Sequence, residues 1–388
     1  MDFSLSPDQV QLRGAIADLC ARFDEAYWIR KDFERTFPDE FYRAVAEAGW
    51  LGIAMPEEFG GSGLGITEAA VMMQAVAESG AAMSGASAIH MNILGLNPVV
   101  VFGTEEQKRR MLPPMVRGED KACFAVTEPN AGLNTTQLTT RAEKRGTRYR
   151  ITGTKIWIST AKVANKVLLL ARTTPFEEAR RRTDGLTLFY TDLDRSCVEV
   201  REIEKMGRHA VDSNIVFFDG MDIPEEDRIG AEGEGFRCIL HGMNPERILI
   251  AAEAVGIGRA ALARSSRYAR ERVVFGRPIG QNQSIQHPLA KCWAEIEAAS
   301  LMVFKAASLY DRGEECGIEA NAAKYLAAEA AFEACEQAVL THGGMGYSKD
   351  YVVERYLRES LIPRIAPITP HMILNFIAER ALGLPRSY

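Results

Sequence analysis

The sequence predicts an α+β chain in three parts: an N-terminal helical domain over residues 1–120, a middle β-barrel or sandwich domain over 121–235, and a C-terminal four-helix bundle over 236–388. Three observations carry this. Apolar residues recur at helical spacing near the N-terminus, short branched-aliphatic and aromatic runs separated by turn signals fill the middle, and long Ala-rich periodic stretches close the chain. With 388 residues the chain has room for two or three domains.

In the first part, Asp8 to Phe23 places Val10, Leu12, Ile16 and Leu19 near helical spacing. Pro38-Asp-Glu-Phe-Tyr opens a second helix that Gly49 ends. Gly60-Gly-Ser-Gly-Leu-Gly65 is glycine-rich enough to suggest a phosphate cradle. No strand precedes it and no Gly-Lys-Ser/Thr follows, so it reads as a turn before a helix over 67–79. Thr104 suits the N-cap of the next helix.

The middle part changes period. Val167-Leu-Leu-Leu-Ala, Leu186-Thr-Leu-Phe-Tyr and Asn214-Ile-Val-Phe-Phe-Asp read as strands, with turns at Thr173-Thr-Pro, Thr183-Asp-Gly, Asp219-Gly and Ile223-Pro. The last part reads as helices over roughly 236–270, 284–311, 318–342 and 370–382. Its small side chains allow close helix packing.

Composition excludes several classes. A net charge of −6 gives no electrostatic footprint for nucleic acid. The longest apolar-rich segment, Ala81 to Val101, is interrupted by His90, two Asn, Gly and Pro, so no membrane span is expected. The seven Cys show no C-x-x-C and the six His no ligand spacing, which predicts free thiols and no metal. The opening Met-Asp-Phe-Ser has neither a signal-peptide nor a presequence pattern, and a cytoplasmic bacterial protein is the expectation.

Two motifs carry the functional reading. Phe124-Ala-Val-Thr-Glu-Pro-Asn-Ala-Gly-Leu-Asn134 is an apolar strand ending in a turn, and Gly153-Thr-Lys-Ile-Trp-Ile-Ser159 is a turn-then-strand unit about thirty residues later. Together they resemble the flavin-contacting strands of the acyl-CoA dehydrogenase family. The helices–strands–bundle order resembles that family over essentially the whole chain.

The resemblance implies an FAD enzyme that removes a proton from the α-carbon and a hydride from the β-carbon of an acyl-CoA thioester, giving the trans-2-enoyl-CoA. Phe124, Val126, Thr127, Trp157 and Ser159 would lie along the flavin. Glu271-Arg-Val-Val-Phe-Gly resembles the E-R-x-x-F-G loop that reaches a partner subunit's FAD, which implies Arg272, Phe275 and Gln283. Val274 replaces a frequent hydroxyl there. Leu340-Thr-His-Gly-Gly-Met-Gly-Tyr347 resembles a second such loop, implying Gly343 and Gly344.

Many family members carry the catalytic Glu where this chain has Pro367, in Ile365-Ala-Pro-Ile-Thr-Pro-His. The isovaleryl and long-chain branch places it on the first bundle helix, just before an Arg. Met243-Asn-Pro-Glu-Arg fits that pattern, so Glu246 is the expected base, with Asn244, Arg247 and Leu133 facing substrate. Pro245 breaks the helix and puts Glu246 in the first turn of a new segment. Glu253, seven residues on, is expected to pair with another helix.

Pro367 has no N–H to polarise the thioester carbonyl, and the Ile368 amide is the expected replacement. Thr369 is expected beside the flavin and as N-cap of the last helix, with Pro370 at its first position. Family precedent implies a homotetramer and an electron-transfer flavoprotein as acceptor. Two alternatives stay open: a flavin oxidase or monooxygenase on the same fold, and a thioester-binding flavoprotein without turnover.

Overall fold

The computed structural model describes residues 3–387. Helices α1 (Pro7–Cys20), α2 (Glu25–Glu34), α3 (Asp39–Glu47), α4 (Ile66–Val76), α5 (Ala82–Leu94), α6 (Asn97–Phe102) and α7 (Glu105–Val116) come first. Ser6 and Gln9 cap α1 reciprocally, as Thr104 and Gln107 cap α7. Leu12, Ile16 and Leu19 are buried, whereas Val10 faces solvent. Gly49 ends α3 at φ 80°. The 60–65 glycines form a loop ahead of α4. A Cβ on Gly61 would collide with the Met55 carbonyl, so close backbone packing accounts for the glycine.

The helix expected over 67–79 runs instead as α4 and then a wide turn, Ala77–Ala81, where Gly80 takes φ 102°. Taken together, Ile66–Phe102 is long and apolar enough to cross a membrane. Most of its apolar side chains pack inside the protein.

Eight strands follow: β1 (Ala122–Ala125), β2 (Arg141–Arg145), β3 (Arg148–Ser159), β4 (Lys166–Arg172), β5 (Leu186–Asp192), β6 (Val198–Glu202), β7 (Ser213–Pro224) and β8 (Arg228–Ile229). They form one sheet in the order β6-β7-β3-β2-β4-β5-β8, with β1 parallel to β4. The Val167–Ala171 run lacks alternation because both faces of β4 are covered. Val167, Leu169 and Ala171 join one apolar cluster; Leu168 and Leu170 join another that includes Met111, Leu112 and Met115 of α7. Asp219-Gly220, expected as a turn, is a bulge inside β7: Gly220 takes φ 76° and the register with β3 slips there.

The last part is α8 (Gly235–His241), α9 (Met243–Glu271), α10 (Gln283–Asp311), α11 (Gly317–His342), α12 (Val353–Ser360), α13 (Ile362–Ile365) and α14 (Pro370–Arg380). A two-stranded hairpin, β9 (Val273–Val274) with β10 (Arg277–Pro278), separates α9 from α10. Helix α9 shares one core with α4, α5, α10 and α11, so the N- and C-terminal helices pack as one body. A Cβ on Gly258 would strike the Ile296 side chain, which shows how closely α9 and α10 approach. Helix α12 was not expected. Arg355 and Glu359 on it are buried and paired at 3.1 Å, and Glu359 accepts from the Ser84 amide and hydroxyl of α5.

Candidate active site

The two strand motifs are physically joined. The Ile156 amide donates to the Thr127 carbonyl at 2.9 Å. The fully buried Lys155 ammonium donates to the Val126 carbonyl and to Glu128 Oε1, both at 2.9 Å. Glu128 also accepts from the Thr139 amide and hydroxyl and the Thr140 amide. Burial alone would raise the Glu128 carboxyl, but Lys155 and these donors outweigh it and hold it down at about 2. Phe124 is half-buried and Val126 buried.

An extra residue in β3 bulges at 156–157, and Trp157 there takes φ 62°. A bulky residue rarely adopts that conformation. It turns the indole out of the sheet, leaving it 57% exposed beside half-buried Thr127 and Ser159. Leu133 is exposed on the turn beyond.

On the helical side, α8 stops at Gly242 and α9 starts. The Glu246 amide bonds the Gly242 carbonyl at 3.1 Å, and Pro245 sits where no N–H is needed. Glu246 therefore stands in the first turn, as expected. Its Oε2 lies 2.7 Å from His90 Nε2, and His90 Nδ1 lies 2.6 Å from Glu253 Oε1. Glu253 is fully buried, whereas the Glu246 side chain keeps 29% exposure. Burial would push the His90 imidazole down, but the two facing carboxylates outweigh it and hold it well above its ordinary value. Burial raises Glu253, with His90 opposing.

Glu253 thus pairs across helices, with α5. Its partner was missed, because a single His inside an apolar run reads only as an interruption. Arg247 turns to Asn244, donating to its Oδ1 at 3.0 Å, and its buried Nε has no partner among the described residues.

A second missed residue connects the two sides. Arg208, at φ 56°, donates from Nη2 to Ser159 and Ser213 at 2.9 Å each and from Nη1 to Ser87 at 3.2 Å. Ser87 and His90 are one turn apart on α5, so they share a face. A continuous path of contacts therefore runs from Ser159 through Arg208 and α5 to His90 and Glu246.

At the 366–369 turn, the buried Lys324 ammonium donates to the Ile368 carbonyl at 2.6 Å, and burial pushes it down to about 8. Thr369 precedes α14, with Pro370 in its first turn. Its expected capping bond is absent. The hydroxyl instead lies buried without a partner among the described residues. Arg247, Asn321 and Ile368 border a cavity of about 260 Å³ beside this turn.

The remaining predicted residues lie elsewhere. Arg272 is 26 positions after Glu246, about 40 Å along α9 at 1.5 Å per residue. Phe275 and Gly276 both take positive φ in the β9–β10 turn, and Phe275 is fully exposed. Gln283 is exposed at the start of α10. Gly343 ends α11 at φ 59°, ψ −134°, a conformation suited to glycine, with Gly344 exposed beside it. His342 stacks on Tyr268 at 4.2 Å. One chain therefore links Ser159 to Glu246 through Arg208, α5 and His90, and carries Arg272, Phe275 and Gln283 at the far end of α9 and beyond.

Three family models match the chain: "Acyl-CoA dehydrogenase, N-terminal domain" over residues 6–119, "middle domain" over 123–221 and "C-terminal domain" over 233–382. The chain is 39% identical over 391 residues to the acyl-CoA dehydrogenase FadE12 of Mycobacterium tuberculosis, covering 100% of this chain and 99% of that protein. It is similar to a solved complex of glutaryl-coenzyme A dehydrogenase with glutaryl-CoA, at 29% identity and TM-score 0.94 over 100% and 98% of the two chains. It is also similar to an FAD complex of PigA, at 26% identity and TM-score 0.92 over 99% and 100%.

Proposed function

The chain belongs to the acyl-CoA dehydrogenase family of oxidoreductases, and we propose that it binds FAD and converts an acyl-CoA to its trans-2-enoyl-CoA, with Glu246 taking the α-proton. The observation that carries this reading is the contact path from Ser159 to Glu246. It ties the strand pair that resembles a flavin site to a carboxylate with one oxygen engaged and the other available.

The residues present fit the cofactor. The orphaned Thr369 hydroxyl and the exposed Trp157 face supply polar and aromatic contacts that the protein itself leaves unused, and the Ser159 hydroxyl, which accepts from Arg208, has its own proton to donate. Phe124, Val126 and Thr127 complete that wall. Bound FAD supplies the acceptor for the β-hydride.

The chain's own residues do the rest. Glu246 Oε1 receives the α-proton while Oε2 stays bonded to His90. Asn244, Arg247 and Leu133 hold the thioester, and the Ile368 amide polarises its carbonyl in place of Pro367. Arg272, Phe275, Gln283, Gly343 and Gly344 serve the FAD of a second copy, since α9 carries the Arg272 loop about 40 Å from Glu246. A cytoplasmic homotetramer handing electrons to an electron-transfer flavoprotein completes the reading.

The test is anaerobic mixing of the FAD-loaded protein with butyryl-, octanoyl-, palmitoyl-, isovaleryl- and 3-phenylpropionyl-CoA. The expected result is flavin bleaching by at least one, with the enoyl product recovered. Rapid reoxidation by air with peroxide would point to an oxidase, and binding without bleaching would contradict turnover.

A further inference from the structure

We propose that His90 is the positioning residue of Glu246, and that Glu253 holds His90 in that role. The three side chains form one unit with a single place left to accept a proton from substrate. This rests on the reading of Glu246 as the base.

Two hydrogen bonds, of 2.7 and 2.6 Å, join the three groups. Each bond contains one proton, so both imidazole nitrogens are occupied and two carboxylates share one imidazolium. The unit then carries one negative charge in place of two, which relieves the repulsion between Glu246 and Glu253 on one face of α9.

Two carboxylate oxygens remain outside these bonds. Glu253 Oε2 is buried without a partner among the described residues, on a side chain with no exposure. Glu246 Oε1 belongs to a side chain that is 29% exposed. Substrate therefore meets only the second. When the Cα–H bond breaks, an O–H bond forms at Glu246 Oε1 and the electron pair stays with the substrate. The His90 proton remains on Nε2 and the unit becomes neutral.

The bond to His90 also removes rotation from a three-torsion side chain in a first helical turn. Such rotation would move the accepting oxygen by more than an ångström, and a misplacement of that size can cost about 10²-fold in rate. The charged neighbours of the unit are Arg247, beside Glu246, and Arg208, on the Glu253 side. Neither forms an ion pair with these carboxylates among the described residues, so His90 is the group that holds them.

The test uses His90→Gln, His90→Phe, Glu253→Gln and Glu246→Gln as FAD-loaded proteins, with whichever of the five thioesters bleaches the unmodified enzyme fastest. The expected result for His90→Gln and Glu253→Gln is a kcat lower by about 10- to 100-fold, KM within a few-fold, and an acid limb of the kcat profile displaced from that of the unmodified enzyme. His90→Phe falls further than His90→Gln, which keeps one hydrogen bond. A merely structural histidine would leave the pH profile in place.

If His90→Gln leaves Glu253 too unstable to fold, the His90→Gln/Glu253→Gln double variant removes that charge and takes its place. Unchanged kcat and pH profile in these variants, with Glu246→Gln inactive, would overturn the positioning role alone. An active Glu246→Gln would instead overturn the base assignment on which the role rests.

Discussion

Two carboxylates, buried Glu128 of the strand pair and half-buried Glu246 of the first bundle helix, differ in what their oxygens have left to do. Glu128 is saturated: three threonine donors and a lysine occupy both oxygens, and its side chain is 4% exposed. Glu246 makes one side-chain bond and keeps an oxygen within reach of solvent. The contrast separates a staple from a reagent. A carboxylate whose lone pairs are all used can lock two motifs together but cannot take a proton from a ligand. One held at a single oxygen has both orientation and capacity.

The largest effect expected from breaking this contrast is at Glu246. Glu246→Gln should retain FAD and fold, with flavin reduction slowed by about 10²- to 10⁴-fold, the usual weight of a general base. Stopped-flow absorbance checks it. A near-normal rate would place the two carboxylates in the same structural class.

Glu128→Ala should do the opposite. It leaves Lys155 buried and unpaired, and breaking a buried pair in this way typically costs about 3–5 kcal/mol. Urea unfolding should show that loss, together with weaker FAD retention. A change under about 1 kcal/mol would mean the two flavin strands are held by other bonds.

Acid should sharpen the same point. Glu128 sits near 2 in the fold against 4.5 ordinarily. On acidification the unfolded chain takes up this proton first. The contribution is present above about pH 4.5 and is lost as pH falls toward 2, on the order of 3 kcal/mol. In Glu128→Gln that part of the acid sensitivity disappears, as unfolding midpoints across pH 2–6 would record.

Thr369→Val should give the smallest effect. The hydroxyl has no partner to lose among the described residues, so stability should hold within about 0.5 kcal/mol. FAD affinity should fall by about fivefold, one ordinary hydrogen bond, in a fluorescence titration.

The parts of this molecule that the sequence made legible are those fixed by local chemistry. The period changes mark the run of helices, strands and helices. The proline and glycine around Glu246 mark its helix start, and the spacing of Glu246 and Glu253 puts both on one face. What stayed hidden depends on distant partners. His90 meets Glu246 and Glu253 across 156 and 163 residues, and nothing near it announces that. Helix α12 buries charges that pair only after folding. Arg208 gains meaning from Ser87 and Ser159 on other elements. Thr369 has a cap's backbone and sequence, but its hydroxyl makes no capping bond.

Proton abstraction can be isolated from hydride loss with 3-thiaoctanoyl-CoA, whose β-position is sulfur and has no hydride to give. In D2O, the FAD-loaded enzyme should exchange the α-hydrogens of this thioester for deuterium, read by mass spectrometry, and Glu246→Gln should leave them as hydrogen. Exchange by Glu246→Gln at the rate of the unmodified enzyme would contradict the account.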